Sequence, residues 1–233
     1  MLWVVMIFVA TWGGVYPFTD YFTRWFNPLV IKRGNASQKT VHFSFDDGPD
    51  PEYTLALLEI LKSFQVPASF FLIGKKAETH PEIVAQIVKY GHEIGWHTYG
   101  HQHAYRMFFW KSKASIVRGI GVLTSLAGVS ITWFRPPWGA LNLFQYREVR
   151  KLGLRPVLWT ANAQDWSLKS TASLIVQRLA RRVRPGAIIV LHDSGGEPGA
   201  PANTLRALPE IITRLKSEGY QFVSLHQLTG GRQ

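Results

Sequence analysis

The chain has no cysteine among its 233 residues, which excludes a disulfide framework and any thiolate metal site. Metal ligands are thereby restricted to histidine and carboxylate, a set that suits zinc and related divalent ions. Acids are also scarce. There are 15 against 26 Lys and Arg, giving a formal net charge of +11. That balance favours anionic partners such as nucleic acid, anionic lipid or an acidic wall polymer. The cations are dispersed, however, so a nucleic-acid binder rests on net charge alone and no such partner is expected. The one dense group, Arg178, Arg181, Arg182 and Arg184, precedes Pro185-Gly186, where it complements a helix C-terminus. No G-x-S-x-G elbow occurs, and Ser194 behind His192 does not make a serine hydrolase. Low-complexity tracts and internal repeats are absent too. A hydrophobic content of 46% supports a substantial core, and the length suits one large α/β domain.

Charge is missing from one further place. Residues 1–19 carry none, and the first acid is Asp20. This run is long enough to cross a bilayer, although Gly13, Gly14 and Pro17 weaken it as a helix. It has no basic leading region and no small-residue cleavage motif, so it is not a standard secretory signal. Arg24, Lys32 and Arg33 follow it and oppose export by the positive-inside rule. The expected organisation is a membrane anchor at 1–19, a linker at 20–39, the functional domain at 40–228 and a tail at 229–233. An apolar segment packed on the domain is the alternative for the first of these. The expected state is a monomer attached to the membrane on its extracytoplasmic side.

From residue 40 a rhythm sets in. Apolar β-type runs fall at 41–45, 68–73, 93–96, 132–134, 156–159, 187–191 and 221–224. Helical patterns lie between and after them at 51–64, 81–90, 111–126, 141–152, 171–182 and 204–218. Strands alternating with helices imply a parallel sheet with crossover helices. Seven strands of nearly continuous apolar character favour a closed or nearly closed (β/α) barrel, whose chemistry lies at the strands' C-terminal ends.

Those ends carry the polar motifs. The first run stops at Phe45-Asp46-Asp47-Gly48-Pro49, because a strand does not continue through Gly-Pro. Two adjacent carboxylates there need a cation or a shared proton. The third ends in His97-Thr98-Tyr99-Gly100-His101. Two imidazoles four apart share one face of a helical turn and can reach one ion, with a carboxylate completing an open His-His-Asp set. The fourth leads into Arg135-Pro136-Pro137-Trp138-Gly139, a rigid turn presenting an arginine and an indole. An arginine facing a carboxylate keeps it ionised, as a general base requires. The fifth leads to Asn162-Ala163-Gln164-Asp165-Trp166 and the sixth to Val190-Leu191-His192-Asp193. A histidine just past a buried strand suits a general acid, and a carboxylate such as Asp165 keeps it protonated. His103 is expected beside the site, and His42, His80, His92 and His226 in packing, capping or surface roles. Phe108, Phe109 and Trp110 form either a sugar-stacking wall or loop core.

The ordered set FDDGP, HTYGH, RPPW, DW and VLH resembles the five motifs of the polysaccharide deacetylases, carbohydrate esterase family four, over about residues 40–228. The resemblance implies a distorted seven-stranded (β/α) barrel and an enzyme that removes N-acetyl groups from a polysaccharide. It implies Asp46 as catalytic base, oriented by Arg135, and Asp47, His97 and His101 as ligands of a divalent metal. Zinc is the first expectation, with cobalt or nickel next. It further implies His192 as general acid tuned by Asp165, and the Trp138 N–H as a donor to the oxyanion. Trp166 and Val190 line the acetyl pocket. The family often has Leu where Val190 stands and an acid where Asn162 stands; neither departure touches the metal or the acid–base pair. Peptidoglycan N-acetylglucosamine is the first substrate expectation, given the basic charge, and chitin oligosaccharides the second. An O-acetyl esterase acting on xylan-like polymers and an inactive wall-binding pseudoenzyme are the rivals.

Overall fold

The structure, a computed structural model, describes residues 21, 23, 27–104 and 109–230. The expected anchor at 1–19, Phe108 and the end of the tail lie outside the described residues. Among the described residues no helix is long and apolar enough to cross a membrane.

In chain order the elements are β1 (Thr40–Asp46), α1 (Tyr53–Phe64), β2 (Ala68–Leu72), α2 (Gly74–Thr79), α3 (Pro81–Lys89), β3 (Glu93–Trp96), α4 (Phe109–Ala127) and β4 (Trp133–Phe134). A 3-10 turn (Pro137–Gly139) follows, then α5 (Leu143–Lys151), β5 (Arg155–Pro156), β6 (Ala161–Asn162), α6 (Ala172–Arg182), β7 (Ala187–His192), α7 (Ala200–Ser217), β8 (Gln221–Phe222) and α8 (Leu225–Leu228). The strands pair in parallel in the order β5-β4-β3-β2-β1-β7-β6. β8 pairs only with the first two residues of β1, below β2. The expected α/β sheet, curled into a distorted barrel, is thus present.

Among the differences from the sequence reading, two concern where elements begin and end. Residues 156–159 do not form one strand. Pro156 pairs beside β4, the chain then detours, and Ala161 resumes pairing beside β7. The detour is the seam between the sheet's two ends, where Leu158 N–H donates to Ile31 O and Thr160 N–H to Ile188 O. Ile31 and Arg33, from the stretch expected as a linker, bridge to Val157 and Ala187 there. An apolar run is silent about which neighbour each of its residues will pair with, so β6 was not legible. Helix α7 begins at Ala200, ahead of the expected 204. Its first turn carries Pro201, which a helix accepts where its N–H groups lack partners anyway.

Period-2 alternation then sorts the side chains. On β1, Val41, Phe43 and Phe45 face the helices and join the main core, as do Ala68, Phe70 and Leu72 of β2 and Ala187, Ile189 and Leu191 of β7. The opposite set points inward, and at the C-terminal ends it comprises Asp46, His97, Arg135 and His192. Phe71, Trp133, Val157 and Ile188 fill the interior below them. Gly95 makes room for this layer, since a Cβ there would lie 2.4 Å from the Phe71 ring.

Candidate active site

Asp46 lies in register with His192 on the adjacent strand. Parallel neighbours are about 4.8 Å apart, so two inward side chains at one level face each other. Arg135 is fully buried beneath them. Its Nη1 donates to Asp46 Oδ1 and to Ser44 Oγ, each at 2.7 Å, and its Nε to Val157 O at 3.3 Å. The guanidinium also stacks on Phe71, 4.0 Å from the ring centroid. Burial draws the Arg135 pKa down, and the Asp46 carboxylate opposes that. A buried charge so fully partnered holds Asp46 in one place.

Asp47 takes the opposite course. Its backbone is left-handed, with φ of 74°, which swings the side chain out of the strand's alternation. Its Oδ1 lies 3.0 Å from His101 Nε2 and 3.4 Å from His97 Nε2, and the three ligand atoms fall within 4.8 Å of one another. The histidines meet differently from expectation. Residues 97–101 are not helical, and Thr98 and His101 have φ of 67° and 51°. The four-residue spacing was informative, but left-handed turns rather than a helix face make the rings converge, with centroids 5.2 Å apart. His97 Nδ1 is 2.7 Å from Arg135 O; a carbonyl only accepts, so Nδ1 carries the proton and Nε2 presents a lone pair. That lone pair faces the Asp47 carboxylate, whose Oδ1 is buried without a hydrogen-bond partner. A cation among the three resolves this clash, so the residues fit a divalent metal.

His192 is supported from behind. Asp165 is buried and accepts from His192 Nδ1 at 2.9 Å, from the His192 N–H at 2.7 Å and from Thr204 Oγ1 at 2.9 Å. Burial lowers the His192 pKa, yet the Asp165 charge and hydrogen bond, with Asp46 and Asp47, push it up to about 9. The loop bearing Asp165 is tied down by α6. Arg178 donates to Ala163 O and Ser170 Oγ at 2.8 and 2.7 Å, and Arg182 to Asn162 O. The arginine cluster does end a helix, as read, but these two members serve the neighbouring loop. Asn162 Oδ1 accepts from Gln164 N–H.

One cleft of about 680 Å³ is lined by Asp46, Asp47, His97, His101, His192, Trp159 and Val190 among others. Trp138 and Trp166 are exposed on its rim. The Trp166 ring meets His192 edge-on at 5.6 Å, and Trp138 lies 4.3 Å from His101 and 5.2 Å from His103. Trp138 is left-handed (φ 56°), and the N–H groups of Gly139 and Ala140 close the turn on Pro136 and Pro137. His42 and His92 are buried elsewhere in packing roles, as expected. The sequence reading missed Ser44, Thr204, Lys76 and Arg178. For Ser44 a signal existed: His42, Ser44 and Asp46 are polar at every second position of an otherwise apolar strand.

A profile described as polysaccharide deacetylase matches residues 33–157. A peptidoglycan-N-acetylglucosamine deacetylase of Bacillus cereus is 34% identical over 82% of this chain and 89% of its own length. A chitooligosaccharide deacetylase of Azorhizobium caulinodans is 34% identical over 79% of this chain and 91% of its own. A solved peptidoglycan N-acetylglucosamine deacetylase superposes with a TM-score of 0.84 at 31% identity, covering 90% of this chain and 96% of the other. With its profile matched, its relatives similar over most of their lengths and the fold shared, the chain belongs to the polysaccharide deacetylase family.

Proposed function

We propose that the protein is a metal-dependent deacetylase that hydrolyses the N-acetyl group of N-acetylglucosamine units, in peptidoglycan first and in chitin oligosaccharides second. One observation carries the reading: the Asp47, His97 and His101 cluster lies beside an Asp46–His192 pair set in register across two strands. A divalent cation bound there, zinc by the character of its ligands, supplies Lewis-acid polarisation of the acetyl carbonyl and acidifies water. Asp46 is the base. Arg135 occupies its Oδ1, leaving Oδ2 to take the proton of the attacking water. The Trp138 N–H, unlike those of Gly139 and Ala140, is not spent in its turn and is offered to the oxyanion. His192, held protonated by Asp165, delivers a proton from Nε2 to the departing amine. Val190 and Trp166 bound the space for the acetyl methyl group. Acetate and a glucosamine unit leave.

The basic charge and the deacetylase relatives support a wall polymer as substrate. The uncharged run at residues 1–19 supports attachment to a membrane, with the catalytic domain acting outside it as a monomer. The test is acetate release from peptidoglycan and from N-acetylglucosamine oligomers, before and after chelation and with zinc restored. Metal-restored release establishes the activity and ranks the substrates. Full metal occupancy with release only from acetylated xylan would replace it by an O-acetyl esterase, and no release from any polymer by a pseudoenzyme.

A further inference from the structure

Helix α2, which the sequence pattern hides, touches three loops of the site, those after β1, β3 and β7. The Ile73 N–H just before it donates to Gly48 O at 2.9 Å, in the loop after β1. Its first two N–H groups, from Gly74 and Lys75, donate to Thr98 O at 3.0 Å and Tyr99 O at 2.8 Å, between the two metal-site histidines. Gly74 lies so close to that loop that a Cβ would stand 2.9 Å from Tyr99 Cδ2. One side chain completes the set. Lys76 Nζ donates to the backbone carbonyl of Asp47 at 2.7 Å and to Ser194 Oγ at 2.6 Å. Ser194 Oγ donates to Asp50 Oδ2 at 3.3 Å, and Asp50 Oδ1 accepts the Glu52 and Tyr53 N–H groups at the start of α1.

We propose that Lys76 is a positioning residue for the metal centre: its ammonium clamps the Asp47 carbonyl to Ser194 and so fixes the ligand loop against the loop that follows His192 on β7. This rests on the metal reading above. A non-glycine residue at positive φ persists only where its surroundings over-determine it. For Asp47 the charge-assisted bond from Lys76 does so at the ligand residue itself, and such bonds are about twice as strong as neutral ones. Bare electrostatics points the other way. An ammonium beside a dication repels it, so if Lys76 acted by charge alone its removal would tighten metal binding. Positioning predicts weakening, and the sign separates the two.

The experiment is a zinc titration of the full chain, made metal-free, against a competing chromophoric chelator. Wild type, Lys76→Met, Lys76→Arg, Ser194→Ala and Asp47→Asn are compared, with thermal midpoints of the metal-free proteins and kcat and KM of the loaded ones. Lys76→Met is expected to weaken zinc binding roughly ten-fold, the low end for residues that orient ligands. Its loaded form loses kcat with KM little changed. Lys76→Arg, which keeps a charged donor, recovers most of both. Ser194→Ala weakens binding by a smaller factor and serves if Lys76→Met does not fold. Unchanged or tighter zinc binding in folded Lys76→Met or in Ser194→Ala, while Asp47→Asn abolishes it, overturns the clamp and leaves the metal site standing. Zinc binding that is absent from wild type or indifferent to Asp47→Asn overturns the metal reading and the clamp with it.

Discussion

Two histidines on the inner face of the same sheet, His42 fully buried and His192 half-buried, are both bonded through Nδ1, yet they end in opposite charge states. His42, low on β1, meets the Val223 carbonyl at 2.8 Å and Ser69 Oγ at 2.9 Å. Burial pushes its pKa down to about 4, although the Glu93 charge pulls the other way. His192, at the end of β7, meets the Asp165 carboxylate instead and is pushed up to about 9. Burial favours the neutral ring in both. Only a carboxylate in direct contact outweighs it, and that one substitution of partner turns a packing residue into a proton donor. The barrel floor is built to be inert. There the Glu93 carboxylate takes the Leu225 and His226 N–H groups at the start of α8.

Breaking the mouth should cost chemistry, and breaking the floor should cost only stability. Asp46→Asn is expected to lower kcat by roughly 10²–10⁴-fold, the usual contribution of a positioned base. His42→Gln should leave kcat per folded molecule unchanged; steady-state assays on both decide it, and a comparable kcat loss in His42→Gln would refute the division. Next in size, Arg135→Met strands Asp46 in the interior and should destabilise by roughly 3–5 kcal/mol. Urea unfolding measures it, and a cost near zero would mean that the pair is not buried as described.

The floor has its own pH signature. His42 has a folded pKa of about 4, below the ordinary 6.5 of the unfolded chain, so the unfolded state binds the extra proton. Stability is therefore complete above about pH 6.5 and is lost as pH falls towards 4, by up to about 3 kcal/mol. His192 has the opposite sign. Its raised pKa contributes stability that is complete below about pH 6.5 and lost as pH climbs towards 9. His42→Gln should lessen the loss of stability on the acid side and leave the alkaline side unchanged, while His92, whose burial also lowers its pKa to about 4, keeps part of the acid loss. The smallest effect is the sharpest. In metal-free Asp165→Asn the His192 ring, followed by NMR, should titrate below about 6.5 like a buried histidine without a carboxylate. A ring still titrating near 9 would show that Asp165 is not the cause.

Much of this site was legible because strand ends leave punctuation. Gly48-Pro49, Pro136-Pro137 and the polar residues after each apolar run marked where strands stop. A parallel α/β sheet places its chemistry at such points. Asp46, Asp47, His97, His101 and His192 meet in one cleft, with Arg135 and Asp165 buried behind Asp46 and His192. Helix α2 was not legible, because a helix held by loop carbonyls and by one lysine needs no amphipathic pattern. Thr204 was hidden for a similar reason: its hydroxyl matters only because α7 packs behind Asp165.

The linear order of residues by itself determined which side chains could take part. Alternation along β1, β3 and β7 puts Asp46, His97 and His192 on one face wherever those strands are placed, and the absence of cysteine leaves only histidine and carboxylate as ligands. Tertiary structure decided what each became. The left-handed backbone at Asp47, Thr98 and His101 sets the ligand geometry, and residues distant in the chain hold it there. The register of β1 with β7 decided that base and acid face each other. Charge state followed from the partner that folding delivered, since desolvation acts on every buried imidazole but a carboxylate reaches only one of the two rings compared.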